Sequence, residues 1–206
     1  MDKLVKGVLK FQQEAFVDNK ALFDELATGQ SPEVLFITCA DSRIDPHLIT
    51  QTKPGDLFVC RNAGNIVPPY PHAANGMTAS IEFAVTVLGV KHIVICGHSD
   101  CGAMKGALAM DTLSAIPNVQ DWLEFAQPAV NNLSTDGQTP DLKTLTEENV
   151  LLQLQHLKSH PAVAAKLENG ELSLHAWVYD IGNGGACCSH PEKRNFQPIA
   201  EHYCAA

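Results

Sequence analysis

The sequence predicts an α/β fold: a mostly parallel β-sheet flanked by helices, with an N-terminal helical arm and a late additional strand. Three observations predict it. Short apolar runs at Val34–Thr38, Leu57–Cys60 and His92–Cys96 are bounded by turn residues and apolar on both faces, the pattern of buried parallel strands. Segments of helical period separate them, and strands alternating with helices build a parallel sheet. The chain has 206 residues with 45% hydrophobic content, enough to bury one substantial core as a single domain, with an arm over 1–27 and a core over 28–206.

The arm is read as one helix over roughly residues 2–27, with apolar positions Leu4, Val8, Leu9, Phe16, Leu22, Phe23 and Leu26. Gly29 and Pro32 end it, and the first strand run follows. The second run starts at Leu57. Met77–Leu88 (MTASIEFAVTVL) has the length and apolar spacing of a helix packed on the sheet, and the third strand run follows at His92. After Cys101, the segment GAMKGALAM is rich in helix formers and small residues, and Asn118–Asn132 adds another helix. Ser134–Pro140 (STDGQTP) has loop composition. Thr144 and Glu147 form a capping box for a helix running through His160, where Pro161 follows. Glu171–Ile181 (ELSLHAWVYDI) alternates and carries Trp and Tyr, as a late strand should, and GNGG turns after it.

The formal charge of −9 excludes a strongly basic nucleic-acid surface and an anionic-membrane surface. No apolar stretch reaches the 18–20 or so residues of a membrane span. The N-terminus lacks the continuous apolar core of a secretory signal, so a soluble, cytoplasmic protein is expected. Seven cysteines in such a chain are expected to be reduced, which leaves them as core residues, metal ligands or nucleophiles. Cys204 lies third from the end, one place short of a prenylation box, so no lipid anchor is expected there.

The informative pattern is Cys39 at the exit of the first buried strand with His98-Ser99-Asp100-Cys101 at the exit of the third. Thiolate sulfur and imidazole nitrogen are zinc donors, and catalytic zinc sites supply three protein ligands and leave a fourth position open. Parallel α/β sheets gather ligands beyond the carboxyl ends of their strands. Asp41 and Arg43 follow the first candidate ligand by two and four residues. As a free carboxylate Asp41 would close the site as a fourth ligand; bridged to Arg43 it would be held back and would accept a hydrogen bond instead.

CADSR (39–43), FVCRNAGNIVP (58–68) and HSDCG (98–102) resemble the signatures of the β-class carbonic anhydrases, of the plant type and the bacterial type associated with cyanate metabolism. The resemblance extends over nearly the whole chain. It implies one Zn²⁺ per subunit on Cys39, His98 and Cys101, and hydration of carbon dioxide to bicarbonate by zinc-held hydroxide, the lyase activity of carbonate dehydratase. It implies a catalytic Asp41–Arg43 dyad, and a substrate-orienting amide at Gln30. Phe58, Ala63 and Phe83 fall at pocket positions, the last two where plant members commonly have Val and Tyr, and Gly102 stands at a helix start where N–H groups meet an anion. Phe36 stands where the allosteric branch carries a tryptophan, which points to the open, non-allosteric type. Self-association as a dimer or a multiple of dimers is expected from the same resemblance.

Two other activities fit the same residues: a silent zinc- or bicarbonate-binding module, and hydrolysis of carbonyl sulfide or carbon disulfide. Asp41, Arg43 and Gln30 together speak against the first; the second turns on an access channel. A phosphatase loop fails on spacing, because Arg43 lies four residues after Cys39 rather than six, and no dinucleotide fingerprint is present. His156 and His160 are expected on a solvated helix face, Cys60 and Cys96 in the core, and Cys187, Cys188 and His190 in a variable-looking tail with no metal or redox role.

Overall fold

The computed structural model describes residues 1–71, 75–134, 138–189 and 194–203. Cys204 and His190 lie outside them. The chain divides into two compact units, Met1–Ser31 and Pro32–Ala206. The first holds three short helices rather than one: α1 (Asp2–Gln13), α2 (Ala15–Asp18) and α3 (Lys20–Leu26). The backbone leaves helical geometry at Glu14 (φ −119°, ψ −82°) and at Asn19 (φ −111°, ψ 24°), and so breaks the expected single helix. Phe16 stacks on Phe23 at 5.1 Å, with Phe11 edge-on to both.

The second unit is built on a six-stranded sheet in the order β2-β1-β3-β4-β5-β6. Four strands are parallel: β1 (Val34–Cys39), β2 (Leu57–Asn62), β3 (His92–His98) and β4 (Ser173–Tyr179). Between β1 and β2 lies α4 (Pro46–Thr50), which Asp45 caps by accepting from the amides of His47 and Leu48. The helix expected over 77–88 begins as α5 (Gly76–Glu82) and widens into a π-helical stretch over Phe83–Leu88, stopped by Gly89 in the left-handed region. After β3 come α6 (Gly102–Ala107), α7 (Pro117–Leu123) and α8 (Gln127–Leu133), with a 3₁₀ turn at Glu124–Ala126 inside the expected 118–132 helix.

The long helix α9 (Leu142–Lys158) is capped by Asp141, which accepts from the Thr144 amide and hydroxyl. The expected Thr144–Glu147 box is therefore corrected: an aspartate three residues before Thr144 starts the helix first. The helix also ends two residues before His160, and α10 (Pro161–Glu168) follows. The residues at 186–189 belong to the sheet, a strand not read from the sequence. They form β5 (Ala186–Ser189), which pairs antiparallel with β4 and carries β6 (Phe196–Pro198) and α11 (Ile199–Tyr203) behind it. A four-residue strand of small side chains lacks the β-branched run that marks a strand in sequence.

Leu35, Ile37, Ile93 and Ile95 point to one side of the sheet, onto Val150, Leu154 and Leu157 of α9. Phe36, Val94 and Cys96 point to the other, with Phe36 edge-on to Trp177 at 6.1 Å. Period-two alternation within a wholly apolar strand thus feeds two cores. α9 approaches β3 so closely at Gly97 that a Cβ there would lie 2.8 Å from Val150 Cγ2. No helix among the described residues is long and apolar enough to cross a membrane.

Candidate metal centre

The sheet order places β2 on one side of β1 and β3 on the other, so the chain reverses its direction of travel between β1 and β3. At such a switch the two strand ends open a crevice. Cys39 is the last residue of β1 and His98 the last of β3. Asp100, in the left-handed region at φ 58°, turns the chain so that Cys101 precedes α6. Cys39 Sγ, Cys101 Sγ and a ring nitrogen of His98 lie within 4.8 Å of one another, and all three residues are buried.

His98 Nδ1 lies 2.9 Å from the Ser99 carbonyl. A carbonyl only accepts, so Nδ1 carries the proton and Nε2 presents its lone pair to the site. That Nε2 is buried and has no hydrogen-bond partner. A buried polar atom without a partner is costly, and a metal ion would satisfy it. Burial pulls the His98 pKa down, yet Cys39, the Ser99 carbonyl and Asp41 outweigh it and leave the pKa raised.

The two thiols are coupled. Cys39 is held well below the usual thiol range by its bond with Cys101, by His98 and by the Gly64 and Asp41 amides, while Cys101 is pushed up by Cys39 and by burial. A thiolate and a thiol beside an imidazole lone pair suit a divalent cation, which displaces the proton that the sulfurs share. The donor set therefore fits a metal.

Asp41 is held by Arg43 through three N–H groups. Nε and the backbone N donate to Oδ1, both at 2.9 Å, and Nη2 donates to Oδ2 at 2.7 Å. The guanidinium keeps the carboxyl well below the usual carboxylate range. Oδ2 stands 3.9 Å from His98 Nε2, beyond hydrogen-bond length. Arg43 is anchored from behind by Asp100, through Nη1 to Oδ2 (3.0 Å) and Nη2 to the carbonyl (3.1 Å), and Lys105 pairs with Asp100. Arg61 reaches across from β2 and donates to the carbonyls of Cys39 (3.1 Å) and Asp41 (2.7 Å), pinning the main chain that carries both.

Matches to known proteins follow the same residues. The family model described as Carbonic anhydrase matches residues 34–186, a span that includes all three candidate ligands. The chain belongs to the β-carbonic anhydrase family. A carbonic anhydrase of Pseudomonas aeruginosa is 46% identical over 205 residues, covering 98% of this chain and 93% of its own. Carbonic anhydrase 1 of Escherichia coli O157:H7 is 47% identical over 203 residues, covering 97% and 93%. The solved β-carbonic anhydrase CcaA superposes with a TM-score of 0.91 at 42% identity, covering 96% of this chain and 91% of that one. A tetrameric β-carbonic anhydrase of the ascomycete Sordaria macrospora does so with 0.80 at 30% identity, covering 96% and 95%. The activity is that of a carbonic anhydrase, a lyase.

Within this β-carbonic anhydrase the remaining site candidates are dispersed. Gly102 is the first residue of α6 and is exposed. Ala63 precedes Gly64, and its carbonyl accepts from the Trp122 indole at 2.9 Å. Phe58 and Phe83 face each other at 6.0 Å, and Phe58 aligns with Leu35, four register positions before Cys39. Gln30 belongs to the N-terminal unit. His156 and His160 do not lie on a solvated face: His160 is 6% exposed with Nε2 at 2.9 Å from the Pro68 carbonyl, and His156 Nδ1 is 2.7 Å from that of Val67. Both turn inward to backbone carbonyls of the loop at 64–68, a partner unreadable from helical period alone. Cys60 and Cys96 are core thiols as expected, and burial pushes Cys96 up to about 12. The supports supplied by Arg61, Gly64 and Asp100 have one sequence signal among them: Asp100 sits between two candidate ligands with a charge opposite to that of Arg43.

Proposed function

We propose that this chain hydrates carbon dioxide reversibly to bicarbonate on one zinc ion per subunit, held by Cys39, His98 and Cys101. The observation that carries this is the orphaned, buried His98 Nε2 converging with two sulfurs at the switch point of the sheet. Two thiolates and an imidazole are a zinc donor set. Bound there, zinc would supply acidification of a water molecule toward neutral pH.

The chain's own residues do the rest. Arg43 occupies both oxygens of Asp41 and keeps the carboxylate from closing the ligand set. The free lone pairs of Oδ2 face the site and accept a hydrogen bond from the reacting group, fixing its orientation. Asp100 holds Arg43 so that the dyad keeps its direction. Gly102 and Ala63 adjoin the ligand-bearing segments; we assign them, with Gln30, to the substrate side on the family motif.

Phe58 and Phe83 stand apart. Four register positions along a strand are about 13 Å, so this pair fits a site contributed to a second subunit. A dimer or multiple of dimers is consistent with that, with the tetrameric relative, and with exposed Leu4, Val8 and Leu9 on α1. Free thiols at all six described cysteines suit a reducing compartment, the cytoplasm.

Metal exchange tests the assignment. Dialysis against a strong chelator should abolish CO₂ hydration, and one equivalent of zinc should restore it. Full activity after the metal is removed would overturn the reading.

A further inference from the structure

The Cys39 sulfur has a partner from outside the ligand set. The Gly64 N–H donates to it at 3.4 Å. Gly64 has φ +82°, and a Cβ there would lie 3.0 Å from that of Ala103, so both conformation and space call for glycine. The same peptide unit carries the Ala63 carbonyl, which accepts from Trp122 Nε1 at 2.9 Å. The next carbonyl, that of Gly64, accepts from Asn149 Nδ2 at 3.1 Å. Asn149 is fully buried on α9, and Gln153 fixes its amide, with Nε2 on Asn149 Oδ1 and Oε1 taking the Val67 N–H, both at 2.8 Å.

We propose that Trp122 and Asn149 are positioning residues for the metal centre, which hold the Ala63–Gly64 peptide so that its N–H caps the Cys39 thiolate. This rests on the assignment of Cys39 as a metal ligand. An N–H bond draws electron density from the sulfur and so limits what the thiolate donates to the metal. The indole strengthens it, because a peptide whose carbonyl accepts a bond becomes a better N–H donor. Outer partners of ligands commonly change metal affinity by about 10- to 100-fold when removed. Trp122 itself packs edge-on to Phe125 at 5.8 Å, so a phenyl ring in its place keeps an aromatic contact there and loses the donor.

The test uses Trp122→Phe and Asn149→Ser, each loaded with cobalt(II), whose thiolate charge-transfer bands report the donor strength of sulfur. In the wild type these bands must be present; their absence would overturn the metal assignment and this proposal together. With the bands present, both variants should shift them to longer wavelength as the sulfur regains donor strength, and cobalt should bind about 10-fold more weakly in chelator competition because the ligand sulfur is no longer held in place. Should Asn149→Ser not fold, Trp122→Phe decides alone. Unshifted bands with unchanged affinity in Trp122→Phe would overturn the clamp while leaving the metal assignment standing. A lowered melting temperature of the metal-free protein with unshifted bands would do the same, since it would show packing alone.

Discussion

Asp41→Asn separates the roles of the two carboxylate oxygens. Two donors, the Arg43 backbone N–H and Nε, converge on Oδ1, so the asparagine oxygen is drawn to that position. The amide nitrogen is then forced into the place of Oδ2, where it opposes the Arg43 Nη2–H and turns a site-facing acceptor into a donor. Arg43 keeps its two bonds to Asp100 and should stay in place. His98 Nε2 stands 3.9 Å from Oδ2, beyond hydrogen-bond length, so the substitution breaks no bond to this ligand. Metal stoichiometry should therefore be that of the wild type. Loss of a contact that orients the reacting group costs about 100-fold, and that is the expected fall in kcat/KM for CO₂ hydration by stopped-flow. A variant within twofold of wild type would refute the role given to Oδ2. A variant that loses its metal would refute the separation of dyad from ligands.

Other parts of the structure make equally definite predictions. Gly97→Ala drives a methyl group to 2.8 Å from Val150 Cγ2 and should cost about 1–3 kcal/mol in urea denaturation; an unchanged midpoint would mean that α9 is free to yield. Gln153→Leu leaves the buried Val67 N–H without its acceptor and should destabilise by about 1–3 kcal/mol. Asp141→Ala removes the α9 cap and should cost about 1 kcal/mol at neutral pH. The Thr144 hydroxyl and amide lower the Asp141 pKa in the folded chain, so the cap's contribution is present above the unfolded carboxylate pKa of about 4. It is lost as pH falls through the folded value, and the gap between Asp141→Ala and wild type should narrow below about pH 4.

Three of the four parallel strands are legible as apolar runs between turn residues and β4 as an alternating one with Trp and Tyr, and β1 and β3 end on Cys39 and His98. Cys39, His98 and Cys101 could be singled out from type and spacing, and Asp41 with Arg43 from proximity to the first ligand. What lay beyond reading depends on partners distant in sequence. The polar face of α9, Asn149, Gln153 and His156, looks like a solvated stripe until the loop at 64–68 is laid against it. Strand β5 has only small residues, and its identity comes from pairing with β4. The breaks at Glu14 and Asn19 are backbone events with no glycine or proline to announce them. The cap expected at Thr144 is Asp141, three residues earlier, whose carboxylate takes the Thr144 amide and hydroxyl.

The most direct measurement is stopped-flow CO₂ hydration with parallel metal analysis on the wild type and on Cys39→Ser. The wild type should carry one zinc ion per chain and turn over CO₂, and the variant should lose both together. CO₂ hydration persisting in metal-free protein, or a full complement of zinc with no hydration, would contradict the account.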